Sequence, residues 1–234
     1  MSHIINPFRF GGAAFSPDDI AGLLVWLKAD AITGLNDGDA VATWGDSSSN
    51  ANDFTQGVAG NRPTYQTNEV NSLPVVRFDG TSDHLISGAS VTMKPVTAFF
   101  VTKAQDFSAS RTLLSQNSGW HNRFNIATGR HNLDKYATAV IGTATTGNNN
   151  LGAWTINTVT YSGSGEYVFY FNTAADGSGT NDQTLTANVL YLGASPVSAE
   201  CFALDIAEVI LYDSVLSSGD RGSVETYLTD KYAL

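Results

Sequence analysis

The segment Leu204-Asp-Ile-Ala-Glu-Val-Ile-Leu-Tyr212 decides the fold. Read as a regular strand, with side chains alternating between faces, it sets Leu204, Ile206, Ile210 and Tyr212 on one side, with Glu208 among them. Ala207, Val209 and Leu211 take the other side. Both faces are apolar, so the segment predicts an inner strand covered on two sides, the middle layer of a larger assembly.

Working outward, the chain repeats one theme: short β-type runs broken by turn clusters. The runs are 73–78, 96–103, 123–127, 136–143, 155–161, 166–172 and 189–193. Between them lie Asp79-Gly80, Asn117-Ser-Gly119, Gly147-Asn-Asn-Asn150, Gly163-Ser-Gly165 and Asp176-Gly-Ser-Gly179. This punctuation predicts an antiparallel two-sheet sandwich or barrel, and 155–161 with 166–172 is its clearest hairpin. Ser16-Pro17-Asp18-Asp19 is a helix-start signal that predicts a single turn feeding a buried strand at Leu23–Leu27. A longer helix to Ala31 is the competing reading. At the end, Val224, Tyr227, Leu228 and Tyr232 recur by three and four, predicting an amphipathic helix capped by Ser217 or Ser218.

Composition agrees. Thr 24, Ser 22, Asn 18 and Gly 22 dominate, whereas only 15% of residues are charged, so the polar surface is mostly neutral and suited to strands and turns. The net charge of −10 opposes a phosphate backbone at long range, and nucleic-acid binding is not expected. The longest apolar runs fall far short of the roughly 18 residues of a membrane span. The first twelve residues lack the apolar core of a signal peptide, which predicts synthesis and folding in the cytosol. The single Cys201 cannot form an internal disulfide. No repeat or linker appears, so residues 16–234 are expected to form one domain. Residues 1–15 stand apart as an arm, either frayed or peripherally packed, or docking onto a partner through Ile5, Asn6, Pro7, Phe8 and Phe10. An extended arm would present Phe8 and Phe10 on one side.

Several segments, in this order, resemble the laminin-G-like, concanavalin-A-like jelly-roll family. They are 16–30 (Ser-Pro-Asp-Asp-Ile-Ala-Gly-Leu-Leu-Val-Trp-Leu-Lys-Ala-Asp), 41–50, 61–65, 73–80, 205–213 and 224–232. The resemblance implies an all-β jelly-roll sandwich. Such domains occur in bacterial surface and secreted proteins and in tailed-phage virion proteins, and the Ile5-Asn-Pro-Phe-Arg-Phe10 opening is similar to the openings of phage structural proteins. Ser49 and Ser162 depart from the pattern, where relatives often carry Gly and Asp. No cofactor is expected; many such domains bind calcium at the sandwich rim, so the resemblance leaves calcium open as an ion, with no relative's ligand set carried onto these positions. Asp46, Asp79, Asp83, Asp176 and Asp182 are loop carboxylates of the required type, although Asp79-Gly80 and Asp176-Gly177 are equally explained by turns.

Catalysis finds little support. Jelly-roll glycosidases draw two carboxyls from a Glu-x-Asp-x-Glu or Glu-x-Asp-x-x-Glu run, but here Ala203 stands where the first Glu would fall. On a regular strand Asp205 and Glu208 would also face opposite ways. Cys201 has acidic Glu200 beside it and no nearby His, so it reads as a buried small residue. His3, His84, His121 and His131 lack zinc-type spacing. A glycan site needs an aromatic with polar neighbours, and Trp120-His121-Asn122-Arg123 is the best local cluster, although Trp120 can equally begin a core strand. Trp26, Trp44 and Trp154 read as core. The expectations are therefore a non-catalytic virion surface protein, of capsid-decoration or head-fibre type, with three attributes. It would be assembled in the host cytoplasm, held to a capsid or other virion protein by its arm, and self-associating. A lectin-like module of an extracellular or cell-surface adhesin, binding cell-surface glycans, is the alternative; a hydrolase or lyase is more distant.

Overall fold

The computed structural model describes residues 15–106, 111–116, 120–124, 130–135, 139–145, 151–196 and 200–234. Two antiparallel sheets form among them. In spatial order the first contains β14 (Ala174–Thr180), β13 (Glu166–Phe171), β12 (Trp154–Tyr161), β7 (Val96–Ala104), β16 (Ala203–Tyr212), β5 (Leu73–Asp79) and β4 (Thr64–Val70), with β1 (Leu23–Lys28) also paired to β16. The second runs β11 (Ala139–Thr143), β10 (His131–Lys135), β9 (Trp120–Phe124), β8 (Arg111–Gln116), β15 (Leu190–Leu192), β6 (Leu85–Ser87), β3 (Phe54–Thr55) and β2 (Thr43–Trp44). The β12–β13 hairpin is as expected, with Tyr161 opposite Tyr167. Ser16-Pro-Asp-Asp19 makes one 3₁₀ turn over Pro17–Asp19 that feeds β1, so the longer helix does not form.

The sheets face each other across a core holding Trp44, Phe54, Leu114 and Leu190 from one side and Phe78, Phe100, Val159 and Leu204 from the other. The outer face of the first sheet is covered by helix α1 (Ser218–Tyr232), which buries Val224, Leu228 and Tyr232 against Phe99, Val101, Ile210 and Tyr212. Each such fully buried apolar side chain contributes roughly 1.5–3 kcal/mol. The helix begins where expected: the Ser217 hydroxyl accepts from the Asp220 N–H at 3.1 Å, and Ala233 ends it in the left-handed conformation at φ 57°.

The strand 203–212 is covered on both faces, but the two faces exchange members partway. A β-bulge falls between Ile206 and Glu208. Leu204 and Ile206 lie in the inter-sheet core with Val209 and Leu211, while Ala207, Ile210 and Tyr212 pack on the helix side. An extra residue in one strand reverses the alternation beyond it, which the regular-strand reading could not anticipate. The bulge also divides one edge of β16 between two neighbours. Ala203–Ile206 pairs with β5, and Glu208–Tyr212 pairs with β1.

The bulge corrects the expected placement of Asp205 and Glu208. Asp205 lies opposite Lys103 and Glu208 opposite Val101, residues of one parity on β7, so both carboxylates face the helix side. Asp205 is fully buried and accepts from Arg77 Nε at 2.6 Å, Arg77 Nη2 at 2.9 Å and Gln105 Nε2 at 2.9 Å, with Lys103 Nζ at 3.0 Å. Glu208 accepts from Trp26 Nε1 at 2.5 Å, Tyr227 at 3.0 Å, Lys231 at 2.8 Å and Tyr232 at 2.7 Å. Trp44 is core as expected, Trp26 is buried on the helix side, and Trp154 is half-buried.

Candidate functional site

Four segments distant in sequence meet at one end of the sandwich. They are the start of β1, the loop 46–53, the loop 88–92 and Asp213 at the end of β16. The loop 46–53 is shaped by a single carboxylate. Asp46 Oδ1 accepts from the N–H groups of Trp26 at 2.8 Å and Ser48 at 2.9 Å, and Oδ2 accepts from Ser48 Oγ at 2.7 Å and the Asn52 N–H at 2.9 Å. Asn50 then ties the loop to β1, its Nδ2 donating to the carbonyls of Leu23 at 2.8 Å and Leu24 at 3.0 Å. Asn52 ties it to the neighbouring loop: its Oδ1 accepts from the Ala89 N–H at 2.7 Å, and Gly88 N–H donates to Asp53 O at 2.9 Å. Val91 and Asn188 exchange backbone hydrogen bonds at 2.9 and 3.2 Å, fixing the far side.

Asp213 closes the site. Its N–H donates to Gly22 O at 2.9 Å, and its carboxylate lies over Gly22, where an added Cβ would stand 2.1 Å from Oδ1. Gly22 has φ +85°, so the backbone there and the space above it both call for glycine.

Together these segments enclose a cleft of about 530 Å³, within the range of small-ligand sites. Its polar lining is Asn50, Asn52, Ser90, Thr92 and Asp213, and its apolar lining is Leu24, Ala89 and Val91. Asp213 is the one acidic side chain among these, and none of the described lining residues is aromatic. The arrangement can exchange hydrogen bonds with a polyhydroxylated ligand and cover an apolar face of it. It offers no paired acid and base.

The other expected positions fall elsewhere. Trp120, His121, Asn122 and Arg123 lie on β9, between β8 and β10, with Trp120 opposite Lys135 and Asn122 opposite Leu133; their side chains lie outside the described residues. Ile5, Asn6, Pro7, Phe8 and Phe10 also lie outside them. Three of the five loop carboxylates are engaged within the protein. Asp46 is committed as above, Asp79 Oδ1 accepts from the N–H groups of Thr81, Ser82 and Asp83 at 2.8–3.0 Å, and Asp182 pairs with Lys94. Among the described residues, no three His, Cys, Asp or Glu side chains come together to hold a metal. Cys201 is buried, and burial, with the charges of Asp79 and Asp83, pushes its thiol up, opposite to a nucleophile's need.

A second concavity, about 770 Å³, lies along α1 and is lined by Phe15, Gly219, Gly222, Thr226, Tyr227 and Lys231, among others. The Phe15 ring meets Tyr227 edge-on at 6.4 Å between centroids.

Residues 78–220, more than half of the chain, match the family described as the concanavalin A-like lectin/glucanases superfamily. No curated protein matches the chain in sequence. Among solved structures, the receptor-binding domain of botulinum neurotoxin D is similar at TM-score 0.62 and 15% identity, over 91% of this chain and 54% of that one. The serotype D ligand-binding domain in complex with N-acetylneuraminic acid is similar at 0.56 and 14%, over 88% and 51%. The Trypanosoma rangeli sialidase in complex with sialic acid is similar at 0.60 and 13%, over 91% and 33%. The chain thus spans about half, or a third, of the proteins it resembles, and at these identities the likeness is one of fold.

Proposed function

We propose, from the premise that the chain belongs to the concanavalin A-like lectin/glucanases superfamily, that it is a non-catalytic carbohydrate-binding module. Its rim cleft would hold a glycan of a cell surface. One observation carries the reading: amide, hydroxyl and carboxylate side chains from four segments converge around an apolar floor of Leu24 and Val91. Sugars present alternating hydroxyls and C–H faces, and a site of this composition answers both. The non-catalytic part rests on the two carboxylates of β16. Both are buried on the helix side and bonded to Arg, Lys, Tyr and Trp donors, whereas retaining hydrolysis needs two carboxyls about 5–5.5 Å apart at an open site.

A glycan array with wild type, Asn50→Ala and Trp120→Ala tests the reading. Binding by wild type, lost in Asn50→Ala and kept in Trp120→Ala, is expected. Loss only in Trp120→Ala moves the site to β9, and no binding by wild type removes the reading.

The context we propose is the surface of a tailed-phage virion, in several copies, with residues 1–15 as the mooring. The root of that arm favours this reading: Phe15 packs on Tyr227 of α1 beside an apolar groove, so the chain leaves the domain from a defined place on its helix-covered face.

A further inference from the structure

We infer that the rim cleft selects uncharged or amino-bearing sugars and discriminates against anionic ones, an inference that rests on the carbohydrate-binding reading above.

The argument is a census of donors and acceptors. The N–H groups of the Asn50 side chain donate to Leu23 O and Leu24 O, and the Asn52 side chain donates to Ala89 O at 3.4 Å. The backbone N–H groups of Ala89, Val91 and Asp213 donate to Asn52 Oδ1, Asn188 O and Gly22 O. These donors point into the protein and hold the loops together. Among the lining side chains, what remains for a ligand is Asn50 Oδ1, the Asp213 carboxylate and the hydroxyls of Ser90 and Thr92. The balance is acceptor-rich, so the ligand must bring donors. Sugar hydroxyls and ammonium groups do so, whereas the carboxylate of a sialic or uronic acid, or a sulfate ester, brings only acceptors.

Charge acts in the same direction. No Lys, Arg or His is among the described residues that line the cleft, Asp213 is exposed at its edge, and the chain carries a net charge of −10. Two like charges about 4 Å apart in water differ from a neutral pair by on the order of fivefold in affinity. That part of the discrimination weakens as salt shortens the screening length. The absence of an aromatic stacking surface makes single-site binding weak, so multivalent display in the assay is appropriate.

The test compares neutral, amino, sialylated and glucuronidated versions of one glycan core, immobilised at equal density, with wild type, Asp213→Asn and Ser90→Lys. Wild type is expected to bind the neutral or amino form at least about fivefold more tightly than either anionic form at low salt. Asp213→Asn should narrow that gap to about twofold, and Ser90→Lys, a change on an exposed loop, should close or reverse it. Equal or tighter binding of the anionic forms by wild type overturns the inference while leaving the carbohydrate-binding reading standing. So does a gap that neither substitution moves. If no glycan of any class binds, the functional reading itself fails.

Discussion

Glu208 and His131 are buried polar residues with different consequences for stability. Glu208 is 1% exposed and joins β16 to β1 through Trp26 and to α1 through Tyr227, Lys231 and Tyr232. Burial, then the Glu208 charge, pushes the Tyr227 and Tyr232 phenols far above their ordinary range, so both remain donors. Glu208→Gln takes one of two carboxylates from Lys231, which keeps Asp30 at 2.9 Å, and weakens the charge-assisted bonds from Trp26, Tyr227 and Tyr232, so it should destabilise by roughly 1.5–3 kcal/mol in urea unfolding. His131 is held to about 3 by burial, and Asp83 is pushed up to about 6 by burial, with the Asp79 charge adding to the rise. Their signs oppose. Below pH 6.5 the unfolded chain protonates His131 while the folded chain does not, so acidification costs stability. Between pH 4 and 6 the folded chain holds a proton on Asp83 that the unfolded chain releases, so acidification adds stability. Relative to wild type, His131→Leu should therefore gain roughly 2 kcal/mol between pH 6 and pH 4, and Asp83→Asn should lose a similar amount. Denaturant titrations at the two pH values measure both, and equal slopes in the three proteins would refute the assignment.

Gly193 directly follows β15 and lies against the Phe78 ring of the first sheet. Its φ is +84°, and an added Cβ would stand 2.4 Å from the Phe78 ring. Its N–H also donates to Leu113 O at 2.9 Å, and its carbonyl accepts from Phe202 N–H at 2.9 Å. Gly193→Ala should cost about 2–3 kcal/mol, since strained backbone and an overpacked ring combine. A fall in Tm of several degrees checks it, and an unchanged Tm would show that the turn can relax. The strands legible in the sequence were those with long apolar runs, such as β7, β12 and β16, where burial on both faces leaves a continuous signal. Strands like Arg111–Gln116 and His131–Lys135 carry polar residues that are nevertheless buried, among them Thr112, Ser115, Gln116 and Asn132. No hydrophobic alternation marks them. The bulge at Ala207 left no trace in composition, because Ala suits either face. The cleft was illegible for another reason: residues 24, 50–52, 89–92 and 213 become neighbours only after the sheets pair. The pattern that does stand out locally, an aromatic among polar neighbours, is Trp120 on β9. Asn50-Ala-Asn52, directly after Asp46-Ser-Ser-Ser49, was the one local hint, since Asp and Asn with short hydroxyl residues commonly bond the nearby backbone.

The rim cleft and the helix-covered face lie on different parts of the molecule. The cleft is built by loops at one end of the sandwich, while Phe15 and α1 lie over the outer face of the first sheet. Mooring through residues 1–14 would therefore leave the cleft open. Because every described member of the inter-sheet core and of the helix-side cluster lies at or after Phe15, removing residues 1–14 should leave Tm within about 1–2 °C of the full chain. The same truncation should abolish incorporation into particles, read as copies per particle after purification with full-length and truncated protein supplied in equal amounts. Truncated protein at full occupancy would sink the tether. Loss of occupancy accompanied by a large fall in Tm would mean instead that the arm belongs to the fold. Light scattering of the full chain supplies the companion measurement, since symmetric display in several copies predicts self-association that the truncated chain, if the arm also joins copies, no longer shows.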